Sequence, residues 1–256
     1  AAAGGHNILM IGAPGGGKTM LAKCLSGILP DMTEREILET TKIHSVAGIL
    51  DCEKGIVASR PFRSPHHTAS RVSLTGGGAA AKPGEISFAH NGVLFLDELP
   101  EYPRSVLEIL RQPLEDGVVS VSRASRSVEY PANFMLVASM NPCPCGYYGS
   151  QVHECSCSTS QIQKYMSRIS GPLLDRIDLH IQVDEVNYDD LTSDVEAESS
   201  ACVKERVNAA RELQNKRYAG TTVHSNADMT SAMIKKYCVL DGAGEKILQA
   251  AFDKLG

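Results

Sequence analysis

The chain has 256 residues, 43% of them hydrophobic and 21% charged, which is enough for one large α/β domain or for one domain plus a smaller one. Its formal net charge of −5 argues against non-specific nucleic-acid binding through overall positive charge. It does not exclude a local basic groove or pore. No apolar run approaches the roughly 20 residues of a membrane helix, and no signal peptide is recognisable. We therefore expect a cytoplasmic protein without a membrane partner.

The segment Gly12–Thr19 reads GAPGGGKT and fits the phosphate-binding pattern G-x-x-x-x-G-K-[ST]. It follows an apolar run, Ile8–Ile11, that is typical of a buried strand, and it opens a helical stretch. Its glycines let backbone N–H groups converge on a phosphate, and the helix N-terminus adds a favourable dipole. We expect Lys18 to reach the β- and γ-phosphates of ATP and Thr19 to ligate Mg²⁺. The predicted nucleotide-binding residues are Gly12, Pro14, Gly15, Gly16, Gly17, Lys18, Thr19, Met20 and Asp97.

A second apolar strand, Val93–Leu96, ends in two adjacent carboxylates, Asp97 and Glu98. A buried strand has little reason to end in two charges unless the charges are used. We expect Asp97 to hold the Mg²⁺ shell and Glu98 to activate the attacking water as a general base. Acidic residues are also common where a helix follows a strand, but the phosphate-binding segment favours the catalytic interpretation.

The pattern of the chain changes near residue 184. Before it, strand candidates at 8–11, 93–96, 134–139 and 179–183 alternate with helices or loops, which predicts a doubly wound, mostly parallel α/β sheet with helices on both faces. Residues 72–78 with 83–87 are interpreted as one inserted hairpin or loop, and 118–123 with 126–130 as a hairpin turning at Ala124–Ser125. After it, helices are predicted over 196–217, 229–237 and 245–255. The first has an apolar face at helical spacing, formed by Val203, Val207, Ala210 and Leu213. We assign residues 1–184 to a nucleotide-binding core and 185–256 to the start of a small helical domain.

Three segments resemble the magnesium-chelatase-like AAA+ family, and within it the bacterial competence-linked ComM/YifB branch: Phe62–Ser70, Asn141–Gly146 and Ser170–Leu179. The resemblance runs through essentially the whole chain. It implies a three-layer αβα AAA+ core with two hairpin insertions, followed by a helical lid. It also implies a larger parent protein, with an N-terminal Lon-protease-like domain and a sensor-2 arginine that lie outside these 256 residues.

The resemblance also implies roles for single residues. Asn141 matches the sensor-1 asparagine, whose amide can orient the attacking water; a turn asparagine before Pro142 is the alternative. Arg176 matches the arginine finger, which would reach the γ-phosphate bound by a neighbouring subunit. The alternatives are a structural ion pair with Asp175 or Asp178, and Arg168 as the finger.

Four of the eight cysteines form a C-x-C…C-x-C cluster within the loop 143–157, at Cys143, Cys145, Cys155 and Cys157. Four thiolates at this density predict a structural Zn²⁺ site beside Asn141 rather than a catalytic metal. A redox or free-thiol cluster and simple packing stay open. The remaining cysteines, Cys24, Cys52, Cys202 and Cys238, are expected to be buried apolar residues.

An arginine supplied by a neighbour implies a ring, commonly a hexamer. Hairpin residues Arg123 and Arg126, and the insertion around Lys82, would then face the pore and suit a nucleic-acid backbone, although a solvated turn is an equally good interpretation. The resemblance favours a DNA motor, a helicase or branch-migration ATPase. A chelatase-type motor and a protein-remodelling ATPase are the alternatives. The adjacent His66 and His67 are left outside the catalytic set, since neighbouring residues on a strand point to opposite faces.

Overall fold

A computed structural model describes residues 1–51, 53–78, 80–123, 126–185 and 197–255. Its centre is a five-stranded sheet in the order β2-β5-β8-β1-β9, in which every neighbouring pair is parallel. The described strands are β1 (Ile8–Gly12), β2 (Phe62–Arg63), β3 (Gly76–Gly77), β4 (Lys82–Pro83), β5 (Val93–Leu96), β6 (Val118–Arg123), β7 (Arg126–Pro131), β8 (Met135–Met140) and β9 (Leu179–Val183). The expected mostly parallel α/β sheet is confirmed.

Helices cover both faces of this sheet. The described α-helices are α1 (Lys18–Ile28), α2 (Glu34–Ala47), α3 (Arg71–Thr75), α4 (Glu85–Phe88), α5 (Arg104–Leu107), α6 (Arg111–Asp116), α7 (Thr159–Met166), α8 (Gly171–Leu174), α9 (Ser200–Arg217), α10 (Ser231–Tyr237) and α11 (Gly242–Leu255). Short 3-10 turns lie at Leu99–Glu101, Glu108–Leu110 and Asn226–Asp228. No helix in these described ranges is both long and apolar enough to cross a bilayer.

The central strands are apolar on both sides because they are buried on both sides. Along β5, Val93 and Phe95 join one core cluster, with Ala22 of α1 and Val207 of α9. The alternating residues Leu94 and Leu96 join the other, which packs against α3 to α8. Two apolar clusters on opposite faces of one sheet are the three-layer αβα arrangement that the resemblance implied.

The first insertion differs from the sequence interpretation. Residues 72–75 and 85–87, expected to be strand-like, lie in helices α3 and α4, and only the two-residue ladder of β3 with β4 is extended. The Ser70 hydroxyl accepts a hydrogen bond from the Ser73 N–H at 3.1 Å and caps α3. Leu74 and Ile86 are fully buried, one from each short helix, and this burial replaces the extended pairing.

The second insertion is the predicted antiparallel hairpin, β6 with β7, in the register Val118↔Pro131 to Arg123↔Arg126. Its predicted turn at Ala124–Ser125 lies outside the described residues. Val119 and Val121 of β6 are buried. The Tyr130 hydroxyl donates to the carbonyl of Ala81 at 2.7 Å, so that the two insertions are joined by a hydrogen bond.

The C-terminal region is helical as expected, but α9 is rotated relative to the predicted apolar face. Leu213 is 63% exposed, whereas Gln214 is 4% exposed. The Gln214 amide donates to the Ala3 carbonyl at 2.8 Å and accepts from the Asn226 N–H at 2.9 Å, which satisfies it in the interior.

Three cysteine predictions were wrong. Cys24, Cys202 and Cys238 are exposed, because each lies on the solvent side of its helix or just after a helix end. Cys52 lies outside the described residues.

Candidate nucleotide-binding site

The loop between β1 and α1 is shaped by two glycines in the left-handed region, Gly15 (φ 83°) and Gly17 (φ 77°). L-residues rarely adopt these angles, and so the backbone itself requires glycine at the consensus position Gly17 and also at Gly15, which the consensus leaves open. Helix α1 begins at Lys18 without a side-chain cap at its N-terminus. Its first N–H groups therefore remain available to an anion.

Lys18 is a buried cation, with 8% of its surface exposed. Its Nζ donates to the carbonyls of Gly12 and Ala13, both at 2.8 Å, and to Asn141 Oδ1 at 3.3 Å. Burial lowers the pKa of Lys18, while the nearby carboxylates of Asp97 and Glu98 act to raise it. These acceptors hold the ammonium group at the cavity, where phosphate oxygens would replace some of its present partners.

Asp97, directly after β5, binds residues from two other elements, α1 and β8. Thr19 Oγ1 donates to Asp97 Oδ2 at 2.9 Å, and Ser139 Oγ of β8 donates to Oδ1. In an octahedral Mg²⁺ shell with bonds of about 2.1 Å, adjacent ligand oxygens lie about 3 Å apart. The hydroxyl of Thr19 and the carboxylate of Asp97 therefore fit neighbouring positions of such a shell.

Glu98 turns away from the strand because its backbone is left-handed, with φ 53° and ψ 49°. Its carboxylate is 56% exposed and lies 3.6 Å from Nδ1 of His67, which is itself in edge contact with the Tyr102 ring. Tyr102 is buried and donates to the Pro65 carbonyl at 2.5 Å, and burial raises the pKa of its hydroxyl. An accessible carboxylate beside the Asp97 shell is suited to accept a proton from water.

One open cavity of about 440 Å³ unites these groups at the carboxyl edge of the sheet. Its lining residues are Pro14, Gly15, Gly16, Gly17, Lys18, Thr19, Met20, Asp97, Glu98, Ser139, Met140 and Asn141. Of the predicted nucleotide-binding residues, Gly12 contributes through its carbonyl to Lys18 instead of lining the cavity. The sequence-predicted residues of both motifs and Asn141 are thus brought together.

The two candidate arginine fingers lie apart from this cavity. Arg176 forms an ion pair with Glu115 and retains 35% of its side-chain exposure. Arg168 pairs with Glu101 at 2.9 Å and also donates to the Pro100 carbonyl at 3.2 Å. Neither pairs with Asp175 or Asp178 among the described contacts, so the ion pair considered for Arg176 is replaced by one with Glu115.

The cysteine cluster lies directly after Asn141, and the loop 143–157 is named here the cysteine knuckle. The four Sγ atoms lie within 4.8 Å of one another. A backbone hydrogen bond from Tyr147 is the main cause that lowers the pKa of Cys145, to about 5. A backbone hydrogen bond from Cys157 acts to lower the pKa of Cys155, but desolvation and the thiols of Cys145 and Cys143 raise it to about 12.

Two contacts at the site were missed by sequence reasoning. Ser139 was placed only in a strand, and its bond to Asp97 depends on the register Leu96↔Ala138 between β5 and β8. His67 was set aside, and it reaches Glu98 because β2 pairs with β5 in the sheet. The sequence did offer a signal. Each residue lies at the end of a sheet strand or shortly after one, and such positions meet at one edge of a parallel sheet.

Comparison with known proteins identifies the family. The family model described as magnesium chelatase, subunit ChlI, matches residues 1–191, and the model for the ChlI C-terminal region matches 197–256. The chain is 48% identical to competence protein ComM of Haemophilus influenzae over 258 residues and 47% identical to the uncharacterized protein YifB of Escherichia coli over 256. All of this chain aligns with each of the two, covering 49% of either relative, so that it spans about half their length.

A more distant relative is the magnesium-chelatase 38 kDa subunit of Cereibacter sphaeroides, 26% identical over 152 residues, which cover 53% of this chain and 45% of that subunit. The phosphate-binding loop, the Asp97–Glu98 pair and the five-stranded parallel sheet lie within the region that the first family model matches. The chain therefore belongs to the magnesium chelatase ChlI family of AAA+ proteins, with ComM and YifB among its relatives.

Proposed function

We propose that this chain is the motor core of an ATPase that binds ATP with Mg²⁺ and hydrolyses it. The observation that supports this most strongly is the convergence of Lys18, Thr19, Asp97, Glu98 and Asn141 on one cavity. Thr19 and Asp97 would hold Mg²⁺, which neutralises phosphate charge when it is bound. Because this reaction needs intracellular ATP, the proposal includes a cytoplasmic location.

In the proposed reaction, water attacks the γ-phosphorus, Glu98 accepts the proton of the water, and ADP leaves with the electrons of the broken P–O bond. The phosphate cradle consists of the glycine-rich backbone and Lys18. Asn141 is within 3.3 Å of Lys18 Nζ, and this contact supports its proposed role beside the γ-phosphate. We also propose that residues 1–184 form the nucleotide-binding core and that residues 185–256 belong to a helical lid.

The assembly that we propose is a ring, with a hexamer as its expected form, in which Arg176 acts on the nucleotide of the neighbouring subunit. The support is that Arg176 is half-buried, retains 35% of its side-chain exposure and is not among the residues that line its own cavity. Arg176→Ala subunits mixed with Lys18→Ala subunits test it. A finger acting between subunits restores some turnover in mixed rings, and an effect confined to one subunit contradicts the proposal. Arg168→Ala tests the alternative finger in the same way.

DNA is the substrate that we propose for the motor, in a helicase or branch-migration role. The support is the similarity to ComM, a competence protein, together with the β6–β7 hairpin that carries Arg123 and Arg126, and the exposed Lys82. The second candidate is a motor that remodels a protein partner. It is supported by the more distant match to a magnesium-chelatase subunit.

Steady-state ATPase of the full-length protein, with and without single-stranded and branched DNA, tests both parts of this proposal. Stimulation by DNA that weakens steeply with salt supports a DNA motor, because phosphate contacts release counterions. Turnover that is indifferent to DNA favours the protein-remodelling candidate. Glu98→Gln is the control that should retain ATP binding and lose turnover by about 100-fold or more. Normal hydrolysis by this variant would show that Glu98 is not the base.

The final part of the proposal is one structural Zn²⁺ in the cysteine knuckle, held by Cys143, Cys145, Cys155 and Cys157. The support is the closeness of the four Sγ atoms in a loop without regular secondary structure. Zn²⁺ would supply four bonds to the loop and take no part in hydrolysis.

A further inference from the structure

The geometry of the cysteine knuckle fits one tetrahedral ion. Zinc–sulfur bonds of about 2.3 Å place the corners of a tetrahedron about 3.8 Å apart. The Sγ of Cys143 lies 3.3 Å from that of Cys145 and 3.7 Å from that of Cys155, and the latter two lie 3.6 Å apart. The Cys157 Sγ lies within 4.8 Å of the other three.

Backbone N–H groups already surround the sulfur atoms. The Tyr148 N–H donates to Cys143 Sγ at 3.3 Å, and the Cys145 N–H donates to Cys157 Sγ at 3.4 Å. Such bonds to thiolates are the usual support of a metal–sulfur site, because they disperse the negative charge of the ligands. The knuckle therefore provides four ligands and an outer layer of donors.

The knuckle also touches the phosphate-binding loop. Gly146 has φ 91°, and a Cβ at this position would lie 2.7 Å from Pro14 Cδ and 3.0 Å from Pro14 Cγ. The backbone of the knuckle therefore rests on the proline ring without room for a side chain. On the other side, Asn141 connects the end of β8 to Cys143, which is completely buried.

We infer that the cysteine knuckle is a Zn²⁺-dependent brace of the nucleotide site. Zinc fixes the loop, the loop fixes Pro14 through Gly146 and Asn141 through Cys143, and nucleotide affinity therefore depends on metal occupancy. This inference rests on the proposed ATP-binding function. It predicts that a metal which contacts no phosphate nevertheless controls how well phosphate binds.

The test compares the full-length protein with Cys155→Ser/Cys157→Ser, which removes the two ligands from the C-terminal end of the knuckle. Cys202→Ser/Cys238→Ser is the matched control, since both of its cysteines are exposed and outside the cluster. Zinc per chain is measured by mass spectrometry of the metal, and the Kd for a non-hydrolysable ATP analogue by titration. We expect one zinc per chain in the parent and the control, and loss of zinc with an affinity about 10-fold or more weaker in the ligand variant.

Gly146→Ala tests the contact between the knuckle and Pro14, and the zinc content of the same variant shows whether the knuckle still forms with alanine at this left-handed position. It keeps all four cysteines but forces a methyl group against Pro14, and we expect it to retain zinc and to weaken nucleotide binding by about 10-fold. Removal of zinc from the parent by a chelator, followed by zinc alone, should lower and then restore affinity without any substitution.

Two results would overturn the inference. One is a parent protein without zinc, including one whose four thiols are joined in disulfides. The other is a ligand variant that has lost zinc but binds nucleotide within about twofold of the parent. A parent that holds zinc and binds no ATP analogue refutes the proposed function instead, so the two failures are distinguishable.

Discussion

The nucleotide cavity and the cysteine knuckle are neighbours that are built in different ways. The cavity lies at the ends of buried strands, and all four residues of β5 are inaccessible to solvent. The knuckle has no helix or strand between Cys143 and Cys157, and three of its four cysteines are half-exposed. The first site takes its shape from the hydrophobic core, while the second combines the buried Cys143 and the contact of Gly146 with Pro14 with local hydrogen bonds and thiol chemistry. Removing core atoms and removing metal should therefore have separable effects.

Leu136→Ala gives the largest expected effect and tests the sheet alone. Leu136 is completely buried in β8 opposite Leu94, and its truncation should cost about 2–5 kcal/mol of the free energy of unfolding. Leu213→Ala, at a site 63% exposed, should cost less than about 0.5 kcal/mol. Urea unfolding measures both. A loss of zinc from folded Leu136→Ala protein would show that the two regions are not separable.

Lys18→Ala tests the chemistry of the cavity without disturbing its frame. It removes the buried ammonium group that donates to Gly12, Ala13 and Asn141, and ATP affinity should fall by about 100-fold or more. Calorimetric titration measures the loss, with the neighbouring exposed Lys23→Ala as control. Zinc content should be the same in both variants. Equal ATP affinity would contradict the role given to Lys18.

Removal of zinc by a chelator tests whether the knuckle can change without a change in the sheet. Removing the metal should raise amide hydrogen exchange across residues 143–157 by about 10-fold or more, because four anchoring bonds are lost. Exchange in β1, β5 and β8 should stay unchanged, since their burial does not involve the cysteines. Mass spectrometry of peptides measures both regions in one sample. Equal acceleration throughout the sheet would contradict this prediction.

The smallest expected effect is a dependence of folding stability on pH. His90 is 2% exposed, and its Nδ1 accepts from the Asn133 N–H at 3.1 Å. Burial lowers the pKa of His90, and likewise that of His44. The unfolded chain then takes up protons near pH 6.5 that the folded chain resists, and stability falls as the pH drops below that value.

Urea midpoints at pH 7.5 and 5.5 measure this loss, with both midpoints taken in the absence of metal. His90→Gln should reduce the difference, whereas His224→Gln, at an exposed position, should leave it as it is. A larger midpoint at the lower pH would contradict the burial of neutral imidazoles.

The sequence predicted those parts of the molecule in which a short local pattern is compatible with a single structure. The run before Gly12 and the run before Asp97 are continuously apolar and end in residues that only a nucleotide site uses together, and both strands lie where expected. Phe62–Arg63 escaped detection because two residues cannot show a period.

The remaining errors share a cause in tertiary packing. Helices α3 and α4 were mistaken for strands because glycines flank them, and their burial of Leu74 and Ile86 cannot be read locally. The rotation of α9, which buries Gln214, depends on the Ala3 carbonyl more than two hundred positions earlier in the chain. The contact of His67 with Glu98 likewise needs the order of strands in the sheet.

The hydrogen bond between Tyr130 and Ala81 has a mechanical consequence. Force applied to the β6–β7 hairpin passes through this bond into the first insertion, and from Glu85 of α4 to Arg63 of β2 through two contacts of 2.6 and 2.7 Å. The load thus reaches β2, the edge strand of the sheet. The packing of Val119 and Val121 in the same core cluster as Leu74 and Ile86 adds a second connection between the two insertions. Tyr130→Phe would remove this hydrogen bond and leave the apolar packing as the connection between the two insertions.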